Sequence, residues 1–592
     1  MWSYTPPSRD MLFVIEDLLK ARDDWAEIPR FANLDADTAP AILEEAGKFA
    51  AQVLAPTNSP GDLQGCRLEN GAVRTPDGFA EAYRRYCEAG WPALACDPDV
   101  GGQGLPQIIN AALYEMLFAV NHSWTMYPGL AHGAYECLRI HGTEHLKSLY
   151  LPKIVSGEWL STMCMTEPQA GSDVGLIRTR AEPQTDGSYT INGSKIFISG
   201  GDHDMTNNIV HLVLARLPDA PIGTKGISLF LVPKTILGPE GNTANSVRCD
   251  GIEGKMGIKG SATCVTTFNG AKGWIIGEPN RGLAAMFVMM SSARLYVSLQ
   301  GLGHAEMAYQ NARRYATERL QMRAVTKPGT PGSSPKTSAD PIAYQPAIRK
   351  IILTMRAFVE GERALGYWCA HLLDLAEHHP DPSRRKDAHE QVSLLTPVLK
   401  SFLTEKGFVL SSAALQVWGG YGYLHGFGIE QTLRDSRVAM IYEGTNEIQA
   451  IDLLIRKVIS DGGRAFSGLM QILITEADLC QFVPGCSSFG EELHRIHSKI
   501  MMATASIVEE SNEYQDYPHR IAGDFLSAVC LALIGSLWAR AARISVPRAA
   551  EAFFRRKLET ARFYFDYLLP ETHFRLDLIA RRSCPIPWID GD

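Results

Sequence analysis

The sequence predicts an α+β protein that is mainly helical, with one β region inserted between helical regions. Apolar residues recur at helical spacing in residues 10–20, 38–53, 293–317 and 342–375. Between these stretches, residues 188–191, 194–199, 209–215 and 226–232 are short runs rich in β-branched and apolar residues, which is typical of strands. No strand–helix–strand alternation surrounds these runs, so a Rossmann-type cofactor site is not expected.

These patterns divide the chain into four predicted domains. Residues 1–160 form a helical domain with an N-terminal extension, and residues 161–280 form an antiparallel β domain, in which Asn192 and Gly193 predict a hairpin turn. Residues 281–460 are helical again, and residues 461–592 continue as further helices after a Gly-Gly linker. Residues 326–335 are rich in glycine, proline and serine and are interpreted as a surface insertion.

Composition excludes some classes of function. The chain has 592 residues and a net charge of −8, which argues against a general nucleic-acid binder. Its 12 cysteines include no C-x-x-C pair, so we expect reduced thiols in a cytoplasmic protein and no metal site. The N-terminus lacks the features of a signal peptide. The apolar residues 525–538 are too few for a transmembrane segment and predict a buried helix.

Glu443 is the most informative single residue. It lies in the run Arg-Val-Ala-Met-Ile-Tyr-Glu-Gly-Thr-Asn-Glu-Ile-Gln of residues 437–449, among apolar neighbours and directly before Gly444. A carboxylate in such surroundings is expected to have a raised pKa and to serve as a general base. Asn446 and Gln449 have the spacing of a capping box, and the helix start would suit a phosphate. The alternative interpretation of Glu443 is a solvated or capping residue.

Four further segments carry a family resemblance. Residues 166–173 read Thr-Glu-Pro-Gln-Ala-Gly-Ser-Asp, residues 315–319 Tyr-Ala-Thr-Glu-Arg, residues 416–423 Gln-Val-Trp-Gly-Gly-Tyr-Gly-Tyr, and residues 434–437 Arg-Asp-Ser-Arg. Together with residues 437–449, they resemble the acyl-CoA dehydrogenase family over residues 40–460. The resemblance implies that a helical domain, a middle β domain and a C-terminal four-helix bundle enclose FAD. The tail resembles the extra helical domain of long bacterial members.

The resemblance also implies a set of site residues. It assigns Glu443 as the base that removes the α-proton of an acyl-CoA. Substrate contacts would come from Ser172, Ser291, Arg294, Tyr442 and Gly444, although Arg294 could equally be a helix-surface cation. FAD contacts would come from Met163, Met165, Thr166, Gly171, Ser172, Phe197, Ser199, Arg319, Gln321, Met322, Gln416, Gly419, Gly420, Thr445 and Glu447. Of these, Arg319, Gln321 and Met322 resemble a segment that reaches the FAD pyrophosphate of the neighbouring subunit, and Gln416, Gly419 and Gly420 resemble one that wraps its adenosine half.

The implied reaction is the α,β-dehydrogenation of an acyl-CoA to a trans-2-enoyl-CoA, with electrons passed to an electron-transfer flavoprotein. We expect a medium- or long-chain fatty acyl-CoA as the substrate, and 3-methylmercaptopropionyl-CoA is the first alternative. An acyl-CoA oxidase and a DNA-binding flavoprotein relative are further alternatives, although Glu443 and the acidic net charge argue against the DNA binder. From the presence of the extra C-terminal domain, we expect the protein to form a homodimer.

Overall fold

The computed structural model describes residues 2–238, 241–327, 339–511, 513–581 and 586–588. Most of the insertion predicted at residues 326–335 lies outside these residues. The helices are α1 (Ser8–Leu12), α2 (Ala21–Glu27), α3 (Thr38–Phe49), α4 (Ala55–Gln64), α5 (Phe79–Glu88), α6 (Gln107–Val120), α7 (His122–His141), α8 (Glu144–Val155), α9 (Gly282–Glu318), α10 (Pro346–His378), α11 (Pro382–Trp418), α12 (Ile429–Ser436), α13 (Asn446–Ile451), α14 (Arg464–Gln481), α15 (Ser487–Glu510), α16 (Tyr517–Ser545), α17 (Ala552–Phe563) and α18 (Glu571–Ile579).

The strands lie between the helical regions, as predicted, so the mainly helical α+β fold class is confirmed. All strands from β3 onward fall between α8 and α9. The strands are β1 (Arg67–Glu69), β2 (Ala72–Arg74), β3 (Leu160–Cys164), β4 (Arg180–Pro183), β5 (Tyr189–Ser199), β6 (Ile209–Ala215), β7 (Ser228–Pro233), β8 (Thr235–Ile236), β9 (Thr243–Ala244), β10 (Val247–Ile252) and β11 (Thr263–Ile276).

The chain folds as two compact units. The helical unit comprises Met1–Glu44 and Val297–Asp592, and the sheet unit comprises Glu45–Tyr296. The first 44 residues therefore pack with helices that follow residue 297, although the sequence placed them in the first domain. The four predicted domains are a finer division than these two units and stay a prediction.

The sheet unit is built on a seven-stranded sheet with the order β3-β6-β7-β11-β5-β4, in which β10 also pairs with β11. Strands β3 and β6 are parallel and all the other pairs of this sheet are antiparallel, so the sheet is mixed and the expectation of a purely antiparallel domain was wrong at that pair. Every residue of β6 and β7 is buried. Because both faces of these strands are covered, their sequences are apolar apart from His211 and Ser228.

The predicted hairpin at Asn192 and Gly193 is wrong, because both residues lie inside the continuous strand β5. A Cβ atom at Gly193 would lie 2.4 Å from the hydroxyl oxygen of Thr179. The side chain of Asn192 accepts a hydrogen bond from the main chain of Gly270 at 2.8 Å, beside a bulge in β11. The Asn-Gly pair thus allows Thr179 to lie close to β5 within the sheet. A glycine in a strand can serve such a close approach as well as a turn.

In the helical unit, α9 and α11 cross with their main chains in contact. A Cβ atom at Gly301 would lie 2.2 Å from the carbonyl oxygen of Leu403, and one at Gly407 would lie 2.6 Å from the carbonyl oxygen of Gly301. Only glycine fits such an approach. This crossing fixes the parts of α9 and α11 that carry Gln300 and Lys400, which recur in the site described below.

Two described helical segments, Gly282–Glu318 and Tyr517–Arg548, have the length and hydropathy of a membrane span. Their most apolar windows are 61% and 83% buried inside the structure, as in the core helices of many proteins. Residues 525–538 lie within the second segment, so the prediction of a buried helix there is confirmed.

A buried cluster of charges joins the N-terminal segment to the rest of the helical unit. Arg363 on α10, with a side chain only 1% exposed, pairs with Asp10 and with Glu306 on α9. Lys557 on α17 pairs with the same Asp10 and, at 2.7 Å, with Glu360. Burial alone would raise the pKa of Asp10, but the charges of Lys557 and Arg363 outweigh it and lower that pKa. Asp10 is therefore the one carboxylate of this cluster that pairs with both cations.

We predict that Asp10→Ala lowers the free energy of unfolding by about 3–5 kcal/mol, because it leaves Arg363 and Lys557 buried with fewer partners. Asp17→Ala is the matched control, since Asp17 pairs only with the half-exposed Arg548 at 3.4 Å. We expect the control to change the free energy by less than about 1 kcal/mol. Urea unfolding followed by tryptophan fluorescence measures both. Overlapping curves for Asp10→Ala and the wild type would contradict the prediction.

A second buried ion pair lies in the sheet unit. Glu167, in the turn after β3, accepts a hydrogen bond from Lys195 on β5 at 2.8 Å. It also accepts hydrogen bonds from the N–H groups of Arg178 and Thr179. Burial alone would raise the pKa of Glu167, but the charge of Lys195 and these hydrogen bonds lower it to about 2. The pair therefore ties the turn after β3 to β5.

We predict that Lys195→Met lowers the free energy of unfolding by about 3 kcal/mol at neutral pH, because Glu167 stays buried without its cation. The pKa of Glu167 is below its ordinary value of 4.5, so its ionised form stabilises the fold above that pH. This contribution is lost as the pH falls toward about 2, and the loss caused by Lys195→Met should shrink in parallel.

The control is Lys272→Met, which breaks an exposed pair with Asp186 and a cation–π contact with Trp274. Urea unfolding at several pH values tests both variants. An equal loss for the two variants would show that the buried pair contributes no more than a surface pair.

Candidate active site and nucleotide cavity

Glu443 lies on a tight turn that precedes α13. Its φ of +55° is in the left-handed region, and Gly444 after it has a φ of +77°. A residue other than glycine in this region is strained by about 1–3 kcal/mol. A Cβ atom at Gly444 would lie 2.8 Å from the side-chain nitrogen of Gln449, so the turn requires a glycine there. The turn presents a half-buried carboxylate in a conformation that its surroundings must hold.

Two fully buried side chains hold this turn. Lys400 on α11 donates hydrogen bonds to the carbonyl oxygen of Gly444 at 2.7 Å and to Oδ1 of Asn446 at 3.1 Å. Gln449 on α13 donates to the carbonyl oxygen of Glu443 at 2.8 Å. These two bonds hold the peptide groups on either side of Gly444. The main chain that carries the carboxylate is therefore fixed from two helices.

Tyr442, the residue before Glu443, is tied to α9. Its hydroxyl donates a hydrogen bond to the side chain of Gln300 at 2.6 Å. Burial and the negative charge of Glu443 raise the pKa of Tyr442, so this phenol stays neutral. The predicted substrate contacts Tyr442 and Gly444 thus flank the predicted base on one rigid turn.

The helix after Glu443 is capped one residue earlier than the sequence predicted. Thr445 is the N-cap, and its hydroxyl accepts a hydrogen bond from the N–H of Ile448. Asn446 cannot cap the helix because its side chain is buried against α11, where it donates to the carbonyl oxygen of Ser401 at 3.0 Å. Glu447, the other predicted cofactor contact here, is exposed. The phosphate site at this helix start stays a prediction.

The first predicted flavin segment follows β3 in the sheet unit. Met163, Met165 and Thr166 are half-buried, and Gly171 and Ser172 are exposed. The carbonyl oxygen of Thr166 accepts a hydrogen bond of 2.9 Å from the main chain of β5, one residue after Lys195. The ion pair of Glu167 and Lys195 is therefore next to the hydrogen bond that joins this segment to β5.

Phe197 and Ser199 lie at the end of β5. Phe197 has a φ of +59° and its side chain is 60% exposed, although a large aromatic residue is usually buried. Ser199 is half-buried. The main chain of Phe197 is strained, and its exposed aromatic ring gives a flat surface on which a planar ligand ring can stack.

Ser291 and Arg294 lie on α9, one turn apart, within the sheet unit. Ser291 is exposed, and Arg294 is only 8% exposed. The interpretation of Arg294 as an ordinary helix-surface cation is therefore wrong. Arginine is almost never fully buried unless it has partners, so the burial of Arg294 favours a structural or binding role over that of a solvated surface charge.

The remaining predicted cofactor residues belong to the helical unit, and four of the six line one cavity of about 420 Å³. Gln416 is exposed on α11 and is not part of the lining. Met322 is 75% exposed, has a φ of +61°, and is not part of it either. The residues that line the cavity are Tyr315, Arg319, Gln321, Ile342, Val417, Trp418, Gly419, Gly420, Tyr421 and Leu424.

The aromatic walls of the cavity were not predicted from the sequence. The rings of Tyr315 and Trp418 are stacked, with their centres 4.3 Å apart, and the ring of Trp2 packs against Trp418 at 6.1 Å. The guanidinium of Arg319 lies 5.7 Å from the centre of the Tyr421 ring. Alternation of aromatic residues with glycines in residues 418–423 is the signal that could have indicated them. Aromatic faces, a guanidinium and exposed glycine backbone suit a base that carries phosphates.

Comparison with known proteins identifies the family. Models of acyl-CoA dehydrogenase domains match the N-terminal domain at residues 37–158, the middle domain at residues 162–271 and the C-terminal domain at residues 333–458. A model described as acetyl-CoA dehydrogenase C-terminal like matches residues 467–585. These matches cover more than half of the chain.

Individual relatives agree with the domain matches. A 3-methylmercaptopropionyl-CoA dehydrogenase of Ruegeria pomeroyi is 39% identical over 96% of each chain. A broad-specificity linear acyl-CoA dehydrogenase of Mycobacterium tuberculosis is 36% identical over 79% of this chain and 77% of the relative. The crystal structure of Caenorhabditis elegans ACDH-11 in complex with C11-CoA has the same fold, with a TM-score of 0.75 and 20% identity over 96% of this chain and 92% of that chain. The chain therefore belongs to the acyl-CoA dehydrogenase family of FAD-dependent oxidoreductases.

Proposed function

We propose that the chain catalyses the α,β-dehydrogenation of an acyl-CoA thioester and that Glu443 is the catalytic base. The observation that carries this proposal is the turn of Glu443, a strained main chain fixed by Lys400 and Gln449 beside a neutral tyrosine. Such a turn can hold a carboxylate at one position against the α-carbon of a bound thioester, and fixed geometry is a large part of catalysis.

In this reaction the α-carbon loses a proton to the carboxylate of Glu443. The β-carbon loses a hydrogen with its electron pair, and the product is a trans-2-enoyl-CoA. Bound FAD would supply the acceptor for that hydride. The phenol of Tyr442 stays neutral and adds no second negative charge beside Glu443.

We propose that the cavity of the helical unit binds the adenosine diphosphate half of the FAD of the neighbouring subunit. Its volume of about 420 Å³ is within the range of small-molecule sites. The ring of Trp418 would face the adenine, and Arg319 would bind a phosphate oxygen. Phe197 and the segment from Met163 to Thr166 would bind the flavin half, while Ser291 and Arg294 would contact the CoA portion of the substrate.

Two substrate classes are proposed. The relative from Ruegeria pomeroyi favours 3-methylmercaptopropionyl-CoA, because its similarity extends over 96% of this chain. The relative from Mycobacterium tuberculosis favours straight-chain fatty acyl-CoA over a shorter match. We place the short thioether substrate first and the medium- or long-chain fatty acyl-CoA second, which reverses the order expected from the sequence. We propose an electron-transfer flavoprotein as the electron acceptor and a homodimer as the assembly.

We predict that Glu443→Gln keeps bound FAD but slows flavin reduction by the substrate by at least about 100-fold, because a general base contributes 10²–10⁴. The amide keeps the size of the side chain and removes its basicity. The control is Glu390→Gln, which changes a half-buried glutamate of the same unit that pairs with the exposed Arg464. Anaerobic stopped-flow measurement of flavin absorbance gives both rates. Reduction of Glu443→Gln at the wild-type rate would remove Glu443 from the mechanism.

A further inference from the structure

The part of the cavity that carries Arg319 and Gln321 lies beyond the end of α9, outside any helix. It is held by a short segment that precedes α10. The N–H of Ile342 donates to the carbonyl oxygen of Arg319 at 2.8 Å, and the N–H of Gln321 donates to that of Asp340 at 2.9 Å. The N–H of Asp340 in turn donates to the carbonyl oxygen of Met322 at 2.8 Å. Residues 319–322 and 340–342 thus form a small antiparallel pair.

Asp340 is the central residue of this pair, because its side chain also contacts the turn that follows Gln321. Its Oδ2 atom accepts a hydrogen bond from the N–H of Ala324 at 2.9 Å, and its Oδ1 atom pairs with Lys327 at 2.8 Å. The hydrogen bonds from Lys327 and from Ala324 lower the pKa of Asp340, so the carboxylate is ionised at neutral pH. The main chain and the side chain of one residue therefore hold both ends of residues 321–324.

The turn needs such support because Met322 is strained. Its φ of +61° lies in the left-handed region, where a residue other than glycine is rarely found. The side chain of Met322 is 75% exposed, so its own packing cannot supply the missing stabilisation. The hydrogen bonds that Asp340 makes on either side of Met322 can supply that stabilisation.

We infer that Asp340 is a positioning residue for the nucleotide cavity, and this inference rests on the proposed function of that cavity. Arg319, Gln321 and Ile342 line the cavity, whereas Asp340 does not. Asp340 would act through the main chain of the turn, by fixing the orientation of the Arg319 side chain at the cavity. A guanidinium binds phosphate with a geometry that tolerates little misalignment, so a loosened turn weakens nucleotide binding without loss of any contacting side chain.

The test is a titration of the full-length apoprotein, from which FAD has been removed, with FAD and separately with ADP. The variants are Asp340→Ala, Asp340→Asn and Arg319→Gln. Asp186→Ala is the matched control, since Asp186 also pins a turn, by pairing with Lys272 at 2.7 Å and by accepting the N–H of Ser188 at 3.1 Å. Thermal melting of each apoprotein reports whether the variant is folded.

We expect Asp340→Ala to raise the dissociation constants of FAD and ADP by the same factor of about 10, which corresponds to about 1.4 kcal/mol. Asp340→Asn should have a smaller effect, because its amide oxygen can still accept the N–H of Ala324, and it remains informative if the alanine variant does not fold. Arg319→Gln should weaken both ligands as well. Asp186→Ala should leave both constants within about twofold of the wild type.

The outcomes separate the inference from the proposed function. If Arg319→Gln weakens both ligands but folded Asp340 variants bind them as the wild type does, the inference is wrong and the cavity assignment stands. If neither Arg319→Gln nor the Asp340 variants change either constant, the cavity does not bind the nucleotide, and both are wrong. A loss of FAD affinity with unchanged ADP affinity would also overturn the inference, because the cavity is assigned to the adenosine diphosphate half.

Discussion

The hydrogen bonds that Lys400 donates from inside the helical unit are the interaction on which the proposed active site depends. The lysine is fully buried, and it binds the carbonyl oxygen of Gly444 and the side chain of Asn446. Lys400 lies on α11 one turn before Leu403, where α11 crosses α9 at Gly301. The same crossing brings Gln300 to Tyr442. A turn that would be strained in isolation thus keeps one conformation, because a rigid helix pair supplies its partners.

Strained main chain recurs at the predicted site residues. Among the described residues, eight other than glycine have a positive φ, and three of these are Phe197, Met322 and Glu443. Each is flanked by a polar anchor: Lys195 with Glu167 beside Phe197, Asp340 beside Met322, and Lys400 with Gln449 beside Glu443. Strain of about 1–3 kcal/mol persists only where the surroundings hold it, and such positions cluster at functional sites. The anchors are therefore as much a part of the site as the residues that they hold.

Sequence patterns predicted the helices and strands well, because apolar periodicity records which faces are buried. They failed where a residue has two possible uses. Gly193 predicted a turn but permits close packing inside β5, and Asn446 predicted a cap but binds α11. Candidate residues were identified from motifs. The hydrogen bonds by which Lys400 and Asp340 fix them join residues that are distant in the sequence, and no motif reveals such bonds. Trp418 was missed because one aromatic residue beside glycines does not reveal that Tyr315 stacks on it.

The most direct test of the account is an anaerobic titration of the purified flavoprotein with butyryl-, octanoyl-, palmitoyl- and 3-methylmercaptopropionyl-CoA, followed by flavin absorbance. Loss of the oxidised flavin spectrum requires removal of both hydrogens from the acyl chain, so it reports the proposed half-reaction without any electron acceptor. We predict bleaching by at least one of the four, with 3-methylmercaptopropionyl-CoA most effective. A protein that binds FAD but is bleached by none of them would contradict the proposed dehydrogenation, although the fold and the family would stand.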